Sequence, residues 1–252
     1  MVGIYFSGTG NTKHCTEKLV HLLDEQARII SVEDDGAVEA IKDNEIIVFA
    51  YPVQFSNIPM AVRDFINNNH NIWKGKQIIC MATMGAFSGD GGGCSARLFK
   101  KYGAEIIGGL HIRMPDSVCD VKLLKKTLEN NKQIVTAAGN KIVTTAANIK
   151  EGKFPKEGLG FAHHIAGLLG QRLWFYSKTQ HYSDRLKINE TCVACGLCIK
   201  LCPMKNIKMC DERIASGNKC TMCYRCISQC PQKAITLLGK KVHEQCRFER
   251  YI

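Results

Sequence analysis

The sequence predicts an α/β fold, a doubly wound five-stranded parallel sheet, followed by a second and much smaller α+β domain. Three observations carry this reading. Apolar, β-branched runs recur through the first part of the chain, each followed by a helix-forming stretch. Strands without polar alternation are buried on both faces, as in a parallel sheet covered by helices. A loop rich in glycine and hydroxyls follows the first run at once. Ten of the fourteen cysteines lie after residue 190, and eight of those fall in two identical patterns.

The strands are read in order as "VGIYF" (2–6), "RIISV" (28–32), "EIIVFAY" (45–51), "QIICMAT" (77–83) and "AEIIGGLHI" (104–112). Helical stretches are expected over 11–26, 59–69, 93–102 and 120–150. Residues 1–150 thus form the first domain. Residues 151–186 open with glycines and become apolar and aromatic. They read as a linker with one helix near 161–176, whose Trp174, Phe175 and Tyr176 dock one domain on the other. Residues 187–252 form the small domain with a short tail. There, "CVACGLCIKLCPMKNIKM" (192–209) and "CTMCYRCISQCPQKAITL" (220–237) align without a gap, Cys192 on Cys220, as an internal duplication.

Composition narrows the function. No run of 18 apolar residues is present, so no spanning helix is expected. The N-terminus starts directly as a strand, without the order of a secretory signal, and a cytoplasmic protein is expected. Fourteen cysteines in such a chain point to metal ligation rather than a disulfide framework. Charge is uneven. Residues 1–150 carry 17 Lys and Arg against 15 Asp and Glu, whereas residues 151–252 carry 17 against 8. The basic second part suggests an acidic protein partner, an anionic surface or nucleic acid. No nucleic-acid recognition motif or aromatic–basic platform is present, so nucleic acid is not expected.

Each cysteine run reads C-x2-C-x2-C-x3-C-P. Three thiolates two residues apart can hold three corners of one iron–sulfur cube, while the fourth, before proline, reaches the other cube. Cys192, Cys195, Cys198 and Cys230 are therefore expected to hold one [4Fe–4S] cluster, and Cys220, Cys223, Cys226 and Cys202 a second. A zinc site needs two CxxC pairs across a longer spacer or a Cys/His mixture, and fits poorly. So small a domain has few apolar residues, and the clusters are expected to hold it together.

The loop "FSGTGNT" (6–12) is neither a Walker loop nor the dinucleotide fingerprint, since the third glycine position is Lys13. It leaves a strand–loop–helix in which Ser7, Thr9, Asn11 and Thr12 can donate to an anion. The backbone N–H groups of Gly8, Gly10 and Asn11 join them at a helix N-terminus.

This loop resembles the flavodoxin phosphate loop, whose ligand is FMN. The cysteine runs resemble the bacterial two-cluster ferredoxins over roughly residues 187–240. Nearly the whole chain outside 151–186, with Met114–Pro115 after the fifth strand, resembles the flavodoxin–ferredoxin fusion proteins of anaerobic microbes. The resemblance implies that the flavin ring lies between two loops. Pro52, Val53, Gln54 and Phe55 belong to the first, and Thr83, Met84, Gly85, Ala86, Phe87 and Gly91 to the second. Phe55 and Phe87 are the candidate stacking aromatics, where short-chain flavodoxins offer a tyrosine in the second loop. A flavodoxin-like scaffold without flavin is the alternative.

The combination implies electron transfer between two low-potential [4Fe–4S] clusters and FMN, with acidic redox proteins as partners. The alternative is a flavin-dependent reductase of a small organic substrate, fed through the clusters. No catalytic residue is singled out. Cys80 and Cys94 are read as structural thiols, and Cys15, Cys119, Cys210 and Cys246 as ordinary ones. His163–His164 reads as an interdomain packing pair, Asp90 as a solvated loop acid, and Lys125–Lys126 and Lys240–Lys241 as solvated faces.

Overall fold

A computed structural model describes residues 1–87, 89–160, 165, 169 and 185–252. Strands β1 (Val2–Tyr5), β2 (Arg28–Ser31), β3 (Ile46–Pro52), β4 (Gln77–Met84) and β5 (Glu105–Arg113) form one parallel sheet in the order β2-β1-β3-β4-β5. Helices α1 (Asn11–Leu23), α2 (Ala37–Lys42), α3 (Met60–Asn68), α4 (Gly91–Lys101) and α5 (Leu128–Lys150) complete this doubly wound, flavodoxin-like fold. The strand order reverses at β1 and β3. In such sheets the crevice outside the carboxyl ends at that point takes the ligand.

The period of two along each strand divides the core into two layers. Ile47, Phe49 and Tyr51 of β3 face one layer, with Trp73 and Phe99 edge-on to Phe49. Val48 and Ala50 face the other, where Leu19 of α1 and Ile142 of α5 close over them. The buried Trp73 donates through Nε1 to the Ile66 carbonyl at 3.0 Å, so its one polar atom is satisfied. The outer edge of β5 is covered too. Gly109 donates its N–H to Pro155 O at 2.8 Å, and its carbonyl accepts from Glu157 N at 2.9 Å. A Cβ on Gly109 would lie 2.5 Å from the Glu157 carbonyl oxygen, so this approach requires glycine.

Two elements differ from expectation. Helix α2 was not anticipated, because six residues beside an acidic run give too few turns for a readable period. The helix expected over 120–150 begins only at Leu128. The Thr127 side chain caps it by accepting from Asn130 N at 3.2 Å. Before it, residues 122–124 make a single 3-10 turn, and Asp120 is drawn into a long-range contact described below. The linker helix near 161–176, its three aromatics and His163–His164 lie outside the described residues, apart from Ile165 and Leu169.

The second unit is built from β6 (Lys187–Ile188), α6 (Leu197–Leu201), β7 (Ile207–Cys210), β8 (Arg213–Ser216), α7 (Arg225–Gln229) and β9 (Ile235–Thr236). Antiparallel pairs join β6 to β9 and β7 to β8. The sequence duplication is also a duplication of backbone. Positive φ occurs at Ala194 and Met222, at Gly196 and Tyr224, and at Lys205 and Lys233, each pair matched in the alignment of the two cysteine runs. A small core of Ile207, Ile214, Ile227, Ile235 and Leu237 packs among the cysteines.

The two units are docked. Arg225 of α7 donates to Ser7 O at 2.8 Å and to Glu33 Oε2 at 2.7 Å. Gln54 Nε2 donates to Thr221 O at 2.7 Å. The Asp120 carboxylate accepts from the backbone N–H groups of Leu237, Leu238 and Gly239 and from Tyr224 Oη. The C-terminal tail returns to the first unit. Phe248 N donates to Thr9 O at 2.9 Å, and its ring stacks on His14 at 4.1 Å between centroids.

Candidate functional site

A cavity of about 1140 Å³, including its open mouth, lies at the carboxyl ends of β1, β3 and β4. The phosphate-type loop contributes Ser7, Gly8, Thr9, Asn11 and Thr12. The loop after β3 contributes Pro52, Val53, Gln54 and Phe55, and that after β4 contributes Thr83, Met84, Gly85, Ala86 and Phe87. Two expected contacts stand outside this lining. Gly10 turns through φ 95° and faces Phe248, and Gly91 begins α4 beneath Val53.

The loop end of the cavity suits a phosphate. Helix α1 opens at Asn11 with no side-chain cap, so its first N–H groups remain available. Ser7 Oγ accepts from Gly10 N at 3.2 Å and Thr9 Oγ1 bonds Ser117 Oγ at 2.8 Å, which hold the loop's shape. Asn11 donates through Nδ2 to Pro115 O at 2.8 Å, while its buried Oδ1 has no partner among the described residues. An orphaned acceptor in the wall fits a ligand that brings a hydroxyl.

At the other end, Phe55 and Ser56 hold φ of 48° and 56° in a tight turn closed by reciprocal Gln54–Asn57 backbone bonds. Phe55 lines the cavity but also packs on the core of the second unit. Phe87 lines it and is half exposed. Besides Leu124, three wall segments were not foreseen: Met114–Val118 after β5, Met222–Tyr224 from the second unit, and Leu238. Only the Met114–Pro115 motif offered a signal for the first. The others face the cavity through docking alone.

Asp116 is the one carboxylate among the described lining residues. It lies against Gly85, and burial holds its carboxyl above the ordinary value, opposed by the Val118 N–H at 2.8 Å and by Lys125 and Lys126. Asp90, expected to be solvated, is instead fully buried and paired with Arg97 at 2.6 Å. Its place at the N-terminus of α4, beneath the loop after β3, removes it from water.

The eight run cysteines ring two smaller cavities. Cys202, Cys220, Cys223 and Cys226 line the inner one, and Cys192, Cys195, Cys198 and Cys230 the outer one. These are the crossed quartets that the spacing predicts. Among the described residues no three such side chains converge on a single ion position. Thiols spread around a void suit a multi-atom cluster better than one zinc ion. Burial first, then Cys223 and Cys202, pushes Cys220 up to about 12, and burial likewise raises Cys223 and Cys226. Such thiols become thiolates only against a strong positive centre. Backbone N–H groups already aim at the sulfurs, Asn206 at Cys202 (3.2 Å) and Ala234 at Cys230 (3.4 Å).

Cys223 and Tyr224 line both the large cavity and the inner cysteine cavity. The wall between them is therefore only a residue or two thick. Cys119 and Cys246, read as unrelated thiols, meet beside this region. Cys119 O accepts from His243 N at 2.9 Å, which brings the tail alongside. A hydrogen bond with Cys119 and the Lys125 ammonium, 2.9 Å away, hold the Cys246 thiol below its ordinary value, while the same bond and burial push Cys119 up.

Comparison with known proteins agrees with this geometry. The flavodoxin domain model matches residues 3–105, and the 4Fe-4S binding domain model matches residues 189–205 and 217–233. The chain therefore joins a flavodoxin domain to a 4Fe-4S binding domain, a flavodoxin–ferredoxin fusion in architecture, and these two domains support electron transfer that involves flavin and iron–sulfur. A comparison with curated proteins finds no match. Among solved structures, the chain is similar to a flavodoxin from Archaea, at 15% identity over 59% of this chain and 97% of that one, TM-score 0.43. It is similar to the two-electron reduced flavodoxin of Megasphaera elsdenii, at 22% identity over 56% and 99%, TM-score 0.42. The Trp repressor binding protein of Bacillus subtilis follows at 19% identity over 56% and 96%, TM-score 0.42. Among the described residues no helix is long and apolar enough to cross a membrane.

Proposed function

We propose that residues 1–150 bind FMN, that residues 187–252 bind two [4Fe–4S] clusters, and that the chain moves electrons between them. Cys202, Cys220, Cys223 and Cys226 would hold the inner cluster, and Cys192, Cys195, Cys198 and Cys230 the outer. Ser7–Thr12 would take the phosphate, and the loops 52–55 and 83–87 the ring. When bound, FMN supplies a two-electron store and each cluster a one-electron relay. The observation that carries this reading is Cys223, whose residue forms part of the wall of both the FMN-type cavity and the inner quartet.

The chain's own residues do the positioning. Arg225, Gln54 and Asp120 lock the inner quartet against the large cavity, and Phe55, Met222 and Tyr224 keep water from the wall between them. Cys195 is exposed, so the outer quartet faces the surface where a partner would dock. The basic excess of the second half suits an acidic redox protein there. Electron delivery from such a protein should slow as ionic strength rises, and a rate indifferent to salt would remove the acidic partner from the proposal.

The first test is iron and FMN content after anaerobic purification. About eight irons and one FMN per chain are expected. Eight irons without flavin, before and after incubation with FMN, would leave a ferredoxin carried on a docking domain. A second reading is reduction of a small organic substrate. The exposed apolar side chains Phe87 and Leu124 at the cavity lining favour it. Substrate-dependent reoxidation of the reduced flavin would select this reading.

A further inference from the structure

The two halves of the duplicated unit are not equivalent at one position. Asn206 lies in the wall of the inner cysteine cavity, and its aligned counterpart in the second run is Ala234. Asn206 is 5% exposed. Its Oδ1 accepts from Lys219 N at 2.7 Å, which fixes the amide plane, and its backbone N–H points at the Cys202 sulfur at 3.2 Å. Its Nδ2 is buried with no hydrogen-bond partner among the described residues. A buried amide donor left unsatisfied carries a desolvation cost unless something accepts from it. No described protein group does so, and Asn206 lies in the wall of the inner cavity, where a bound group can accept from it. The outer cavity has no equivalent: its own polar side chain, Gln232, is exposed.

We infer that Asn206 Nδ2 donates a hydrogen bond to a sulfur of the inner cluster and thereby raises the reduction potential of that cluster alone. The inference rests on the proposed cluster ligation. A donor to cluster sulfur stabilises the extra negative charge of the reduced form, which is one of the ways a protein sets such potentials. Asn206 is thus a positioning residue that favours the electron on the cluster beside the flavin-type cavity.

The test is a redox titration of the holoprotein followed by electron paramagnetic resonance, with iron counted in every sample. The signal of the outer cluster is assigned by its alteration in Cys195→Ser. Asn206→Ala makes the two halves alike, and Asn206→Asp keeps the acceptor for Lys219 N while removing the donor. Both variants are expected to lower the potential of the inner cluster and leave the outer one unchanged. Eight irons with both potentials unchanged, or with both shifted equally, would overturn the inference. Fewer than eight irons in the wild-type chain would instead overturn the ligation it rests on, and the inference with it.

Discussion

Gly8 of the first domain lies directly against Cys223 of the second: a Cβ on Gly8 would overlap the Cys223 carbonyl oxygen. The glycine loop and a cysteine of the inner quartet thus meet backbone to backbone, and no side chain can swing aside to make room. Gly8→Ala is expected to cost about 1–3 kcal/mol and to loosen iron at the inner quartet. Thermal unfolding and iron retention check this, with Gly36→Ala, which meets only the tip of Arg28, as the near-neutral control.

Asp120 accepts four hydrogen bonds from the second unit, three of them from consecutive backbone N–H groups. Asp120→Ala strands those donors in a buried interface. A loss of about 3 kcal/mol or more is expected in denaturant unfolding. A change within a few tenths would mean that the interface opens to water without cost.

Arg225 and Glu33 form a largely shielded pair at the domain boundary, 17% and 26% exposed. Arg225 also donates to Ser7 O and Leu201 O. Arg225→Met should therefore destabilise more than Glu33→Gln, and a double-mutant cycle should give a coupling of about 0.5–3 kcal/mol. Equal single effects would show that the two carbonyl contacts contribute nothing.

The Asp116 carboxyl is held above its ordinary value chiefly by burial. A raised folded-state value means that the folded chain binds the extra proton. Its contribution to stability is full below the unfolded value, about 3.9, and is lost as pH rises through the folded value. Asp116→Asn should thus gain little near pH 4 and increasingly more toward pH 7, where the ionised carboxylate is the less favoured form. Melting temperatures of both chains across that range test it. A gain independent of pH would assign the effect to packing.

The described residues differ in how legible they were. The five strands were readable because continuous apolar runs have few other uses in a chain with these helical intervals. Helix α2 was not, since six residues carry less than two turns of period. The start of α5 was misplaced because Asp120 answers to backbone groups of the second unit, far along the chain. Asp90 looked like a loop acid, and only packing buries it against Arg97.

The spacing of the eight cysteines determined by itself which of them would share a cavity, because three thiols two residues apart cannot avoid one another and the residue before proline cannot join them. The first loop likewise determined a tight turn into the uncapped N-terminus of α1, through local backbone chemistry. Tertiary structure alone decided that the inner quartet, not the outer, faces the large cavity, that Met222 and Tyr224 complete its wall, and that the Asn206 amide is buried without an acceptor among the described residues. Those facts depend on how two units dock and pack, through contacts such as Asp120 with Tyr224 and Gln54 with Thr221. Pairings between residues so far apart leave no local period, cap or spacing to read.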